Sequence, residues 1–137
     1  MQLLRKHFPD CGLTCDVIVG FPGESEQHQT ETLEFLKKAR FSDAHIFPYS
    51  RRPGTPADKM DGQLDRATKA KRSKQAKTVV AETREEFLRS MIGKTLPVLF
   101  ETKHGKGWLG HSDNYLEVMA EGEELRGTVR NVSIHAV

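Results

Sequence analysis

The 137-residue sequence holds only two cysteines, Cys11 and Cys15. A disulfide framework of the kind that staples small secreted domains therefore has no material to work with. No apolar run approaches the roughly 20 residues that a membrane helix requires, and the N-terminus lacks the apolar core of a signal peptide. A cytoplasmic protein without a membrane partner is the expectation. The six histidines are scattered, with no i, i+4 pair and no HExxH, so a zinc site is not expected. No Ser-His-acid pattern stands out either. Aromatic residues make up 7% of the chain, hydrophobic residues 36% and charged residues 29%. That balance describes a globular chain with a lean core, large enough for one ordinary domain or two small ones.

What the chain does have is an uneven charge distribution beneath a net charge of +2. Residues 1–63 carry eight Lys/Arg against nine Asp/Glu. Residues 64–92 carry eight against four, and residues 93–137 five against six. A basic middle between near-neutral ends suits a polyanionic partner, and suits a solvated helix face equally well.

Leu13–Gly20 is an apolar, β-branched run that stops at Gly20-Phe21-Pro22-Gly23, which predicts a buried strand and a turn. A helix is predicted from Ser25, with Leu33, Leu36 and Ala39 on its apolar face. Ala44–Ser50 reads as a second strand ending in the Arg51-Arg52-Pro53-Gly54-Thr55-Pro56 loop. Strand, helix and strand within about 40 residues make a βαβ unit with parallel strands. The segment from Leu3 to Phe8 looks like the tail of a helix. Residues 64–92 lack Gly and Pro and are rich in helix formers, with Ala76, Val80, Phe87 and Met91 as an apolar stripe. After Gly93, short strand-like runs at Thr95–Glu101, Gly107–His111, Tyr115–Ala120 and Gly127–Ala136 predict a small barrel or sandwich.

Two loops carry the chemistry. Gly20 and Gly23 permit tight turns and close approach of a ligand, and Glu24 offers a carboxylate to a ribose or an amine. An ordinary strand-to-helix turn is the competing interpretation. After the next parallel strand come Tyr49, Ser50, Arg51 and Arg52, on the same rim of the sheet as the first loop. Asp16, in the strand itself, reads as a buried, hydrogen-bonded carboxylate in preference to a general base.

Together, Gly20-Phe21-Pro22-Gly23-Glu24 and Tyr49-Ser50-Arg51-Arg52-Pro53-Gly54-Thr55-Pro56-Ala57 resemble the radical S-adenosylmethionine tRNA methylthiotransferases. The form HIFPYSRRPGTPA looks most like the branch that modifies threonylcarbamoyladenosine beside the anticodon. The resemblance covers essentially the whole chain. It implies an α/β fragment, the last βαβ portion of a partial TIM-like barrel (residues 1–63), then a basic connecting helix (64–92) and a small all-β, OB-like TRAM barrel (93–137). It further implies that Ile18, Gly20, Phe21, Pro22, Gly23 and Glu24 line the cofactor side, with Tyr49, Ser50, Arg52, Gly54 and Thr55 closing the rim. In the family, one S-adenosylmethionine supplies a methyl group and a second is cleaved at an iron–sulfur cluster to a hydrogen-abstracting radical. Its enzymes hold that [4Fe–4S] cluster by C-x3-C-x2-C and a second by three more cysteines. Cys11 and Cys15 have only the C-x3-C spacing, and no third thiolate is present to complete a site. Cys15 lies in a predicted strand, where a cysteine acts as a small hydrophobe. The expectation is a fragment, inactive alone, that binds neither cofactor nor metal firmly and misses the remaining domains of its parent. Its orphaned strands should favour self-association.

For RNA, the cations of the basic helix are Arg66, Lys69, Lys71, Arg72, Lys74 and Lys77. Lys103, His104 and Lys106 cluster beside Trp108, with Tyr115 in the next strand. Phosphates need cations and unstacked bases need flat partners. The resemblance gives this region to the anticodon stem-loop of tRNA, although composition favours a core position for Trp108. A stand-alone RNA-binding module remains the alternative, as does a relative acting on isopentenyladenosine.

Overall fold

The computed structural model describes residues 1–137. Two compact units emerge, one of residues 13–85, the other of residues 1–12 with 86–137.

In the first unit, β1 (Thr14–Val19) and β2 (Asp43–Pro48) form a parallel two-stranded sheet, joined by α2 (Glu26–Ala39). The βαβ unit expected from the sequence is therefore present, each strand starting within a residue of its predicted position. Ser25 starts α2 through a capping box: its hydroxyl accepts from the His28 amide, and its own amide donates to His28 Nδ1. Two orphan donors of the first turn are satisfied in this way. Arg40 ends the helix in the left-handed conformation at φ 51°. One face of the sheet carries Cys15, Val17, Val19, Ala44 and Ile46 into a core with Leu36, Ala39, Phe41, Ala76 and Val80. The opposite face leaves Ile18 and Phe47 half exposed. Each strand has one unpaired edge.

The long helix α3 (Arg66–Met91) opens on Asp65, whose carboxylate accepts from both the amide and the hydroxyl of Thr68. Its predicted stripe is correct, since Ala76, Val80 and Met91 are buried and Phe87 partly so.

In the second unit, β3 (Thr95–His104), β4 (Gly107–Ser112), β5 (Glu117–Glu121) and β6 (Val129–Ser133) form an antiparallel sheet in the order β5-β4-β3-β6. Strict alternation along β3 buries Leu96, Val98 and Phe100 and exposes the residues between them, the pattern of a sheet with one wet face. The sheet curls into a half-barrel with open edges at β5 and β6. A curled antiparallel sheet of this kind is compatible with the small TRAM-like β domain expected from the sequence. A bulge interrupts the β3–β4 register between Phe100 and Thr102. Beside it lies Gly110, where a Cβ would stand 2.2 Å from the Leu99 carbonyl oxygen. The short α1 (Gln2–His7) leads into Asp10, which pairs with Lys94, while the Asp10 carbonyl accepts from Asn114 Nδ2.

Candidate cofactor rim and nucleic-acid interface

The two loops singled out in the sequence meet at the C-terminal ends of the parallel strands. The Tyr49 amide donates to the Val19 carbonyl at 2.8 Å, and Phe21 packs edge-on against Tyr49 with ring centroids 5.2 Å apart. Between them opens a cleft of about 560 Å³, with Ile18, Phe21 and Phe47 as apolar walls and Asp16, Ser50, Arg52 and Thr55 at its margin. The expected cofactor residues Ile18, Phe21, Tyr49, Ser50, Arg52 and Thr55 thus share one cavity. Pro22 is buried and Gly23 exposed, and neither lines it. Gly54 holds a left-handed turn at φ 84°, and Thr55 caps the short 3-10 helix at Pro56–Lys59. Asp16 is exposed on the open sheet face, not buried as expected, because its position alternates with Cys15 and Val17 on the core side.

Glu24 does not present a free carboxylate to the cleft. Its Oε2 accepts from the amides of Gly20 at 2.9 Å and Phe21 at 3.3 Å. Its Oε1 accepts from Arg72 Nη1 at 2.7 Å, and Arg72 Nη2 reaches Glu26 at 2.8 Å. Arg72 is 2% exposed, so it cannot serve as the phosphate ligand expected from the charge run. Lys69 is half-buried and donates to the Tyr49 carbonyl at 3.1 Å. Arg66, Lys71, Lys74 and Lys77 remain exposed on the same helix.

Burial raises the Cys15 thiol above its ordinary value, with the neighbouring Asp16 carboxylate adding to the effect. A thiol held protonated is a poor metal ligand and nucleophile. No cluster of three or more His, Cys, Asp and Glu side chains is arranged to hold a metal ion.

In the second unit, Lys103, His104 and Lys106 surround the exposed β3–β4 turn. Trp108 is 3% exposed and belongs to the core with Phe100, Leu116 and Val118; its Nε1 donates to the Glu123 carbonyl at 3.3 Å. Neither ring face is open to a base, which corrects the stacking role. Tyr115 is 84% exposed and sits at φ 63° in the turn before β5, not within a strand as the sequence suggested. Leu116 and Ser112 hold that turn through three mutual hydrogen bonds, and the Ser112 hydroxyl also donates to Asn114 Oδ1. The ring of Tyr115 borders an open surface pocket with Pro97, Leu99, Glu101, His111 and Val129.

No family model matches the chain. Curated proteins do, tRNA-modifying enzymes among them. The chain is 36% identical over 140 residues to threonylcarbamoyladenosine tRNA methylthiotransferase MtaB of Bacillus subtilis, covering 98% of this chain and 31% of that protein. It is 40% identical over 137 residues to tRNA-2-methylthio-N(6)-dimethylallyladenosine synthase of Maricaulis maris, covering 97% and 30%. The synthase of the same name from Wolbachia pipientis of Culex pipiens is 42% identical over 103 residues, covering 75% and 23%. The chain is thus homologous to the tRNA methylthiotransferases, consistent with the C-terminal portion of a radical S-adenosylmethionine enzyme of that family. It spans less than a third of the length of these relatives.

Proposed function

We propose that this chain is the cofactor-rim and tRNA-binding portion of a methylthiotransferase that 2-methylthiolates N6-threonylcarbamoyladenosine next to the anticodon. In that assignment residues 1–63 belong to the catalytic barrel, 64–92 form a basic connector, and 93–137 are a TRAM domain. The observation that carries the proposal is the meeting of two matched loops around one cleft, in a chain similar to such enzymes over 98% of its length.

The cleft suits S-adenosylmethionine. Ile18, Phe21 and Phe47 offer apolar surface to an adenine, and Arg52 and Ser50 offer donors to its polar end. The enclosed Tyr49 hydroxyl has no hydrogen-bond partner, and a buried polar group without one calls for a ligand or water. When bound, the cofactor supplies the transferred methyl group. This chain's residues hold and orient it, and the Phe21–Tyr49 pair shields one end of the slot from water. The [4Fe–4S] cluster does not fit this chain, because Cys11 and Cys15 are its only cysteines and an open-iron site needs three thiolates.

The relatives that act on dimethylallyladenosine match as well as the threonylcarbamoyl enzyme does, so that substrate is the second reading. Mass spectrometry of tRNA nucleosides after deletion of the gene separates the two. Loss of the methylthio group from threonylcarbamoyladenosine supports the proposal; loss from dimethylallyladenosine alone overturns it in favour of the second reading. The chain by itself should yield no 5′-deoxyadenosine from S-adenosylmethionine and reductant after iron–sulfide reconstitution.

A further inference from the structure

α3 was expected to use its cations on RNA, yet two of them turn inward, one to each rim loop. Arg72 ties down the first loop. Its guanidinium donates to the Glu24 carboxylate at 2.7 Å and to the Glu24 carbonyl at 2.8 Å, while Nη2 holds Glu26 at 2.8 Å. The fixed Glu24 carboxylate in turn receives the Gly20 and Phe21 amides. Gln29, 2% exposed, donates to the Arg72 carbonyl and so locks α2 to the same turn of α3. Lys69 ties down the second loop through its bond to the Tyr49 carbonyl, with its ammonium 5.9 Å from the Tyr49 ring centre. Its aliphatic stem lies across Gly20, where an added Cβ would stand 2.4 Å from Lys69 Cγ.

We propose that Lys69 and Arg72 are positioning residues of the cofactor rim, a pair of inward cations, one turn apart on α3, that fix the two loops against each other. A planar guanidinium that bridges two carboxylates and a carbonyl through its two terminal nitrogens has one geometry, so it sets the loop's place as well as its charge. Gly20 is required here twice over, for its φ of 72° and for the room it leaves the Lys69 stem. The assignment of the loops to a cofactor rests on the function proposed above; the clamp itself does not.

The experiment is amide hydrogen exchange, resolved by NMR, on the full chain and on three variants. Arg72→Met removes the guanidinium, Arg72→Lys keeps the charge without the fork, and Glu24→Gln neutralises the carboxylate while keeping its shape. Glu24→Gln guards against the case in which the loss of Arg72 unfolds the chain. The expected result is a rise of about tenfold or more in exchange at Gly20 and Phe21, the scale of one charge-assisted hydrogen bond. Protection of β3 and β4 should not change, and Arg72→Lys should recover only part of the loss. Unchanged exchange at Gly20 and Phe21 in Glu24→Gln overturns the clamp. So does a rise spread evenly over residues 13–85, which marks a general structural role. Titration of the unmodified chain with S-adenosylmethionine up to about 10 mM, where the loose binding expected of the chain alone still shifts the same amides, tests the cofactor assignment separately. A clamp that passes with no shift on titration leaves the positioning intact and counts against the rim.

Discussion

Truncating Trp108 to alanine distinguishes a core ring from a base-stacking one. The side chain is 3% exposed and touches a core that includes the fully buried Phe100 and Val98. Removing a buried tryptophan side chain costs about 3–5 kcal/mol in lost transfer energy and cavity. The indole hydrogen bond to the Glu123 carbonyl adds about 1 kcal/mol and leaves that acceptor to water. At about 0.05–0.15 kcal/mol per residue, a unit of roughly 60 residues is stable by only about 3–9 kcal/mol. Trp108→Ala should therefore remove most of that stability, and the unit should melt near or below physiological temperature. Urea titration followed by far-UV circular dichroism measures the loss, because the variant lacks the chain's one tryptophan fluorophore. Tyr115→Ala is the control. Its side chain is 84% exposed, so stability should change by no more than about 0.5 kcal/mol. A Trp108→Ala protein that keeps its urea midpoint yet loses affinity for an anticodon stem-loop would refute the core placement.

Charge reversal of Lys71, Lys74 and Lys77 to Glu should weaken every RNA alike, since phosphate contacts position without specifying. With Arg66 included, about four exposed cations give a slope of log affinity against log salt between about −3 and −4; anisotropy with an anticodon stem-loop reads both, and a slope near zero removes the helix from the interface. On acidification, the Arg72 hydrogen bond and charge hold Glu26 below the ordinary carboxylate range, as the Thr68 amide and hydroxyl hold Asp65. Their stabilisation is complete at neutral pH, above that range, and is lost as pH falls from it through the lowered folded-state values, so a Glu26→Gln, Asp65→Asn protein should show a flatter urea midpoint on acidification from pH ~7 to ~3. The half-exposed Ile18 and Phe47 and the unpaired edges of β1 and β2 should drive self-association, visible as concentration-dependent sedimentation. A strict monomer with full amide protection on both strands would contradict it.

The elements of this chain were legible because their periods are clean. β3 alternates without a break until Thr102, and the stripe of α3 holds a helical period from Ala76 to Val80. Loop positions were legible too, since Gly20, Gly23 and Gly54 mark positive-φ turns. What charge counting obscured was the direction in which each cation points. Arg72 lies four residues before Ala76 and eight before Val80, on the buried stripe, and that spacing already set it apart from Lys71 and Lys74. Its partners Glu24 and Gln29 stand more than 40 residues away, and no local pattern names them. Tyr115 escaped for a different reason. Its β propensity was overruled by the Ser112–Asn114–Leu116 hydrogen bonds, which fold the chain into a left-handed turn.

The Gly110 contact also gives alignments of this region a fixed point. A Cβ there would collide with backbone and not with a side chain that could swing away, so a larger residue in β4 requires the β3 backbone beside the bulge to move. If that movement removes the one-residue bulge, the residues from Thr102 to His104 turn to the opposite face of the sheet. The basic turn would then point elsewhere, and equivalences drawn across that position by residue number alone would pair side chains that face different solvents.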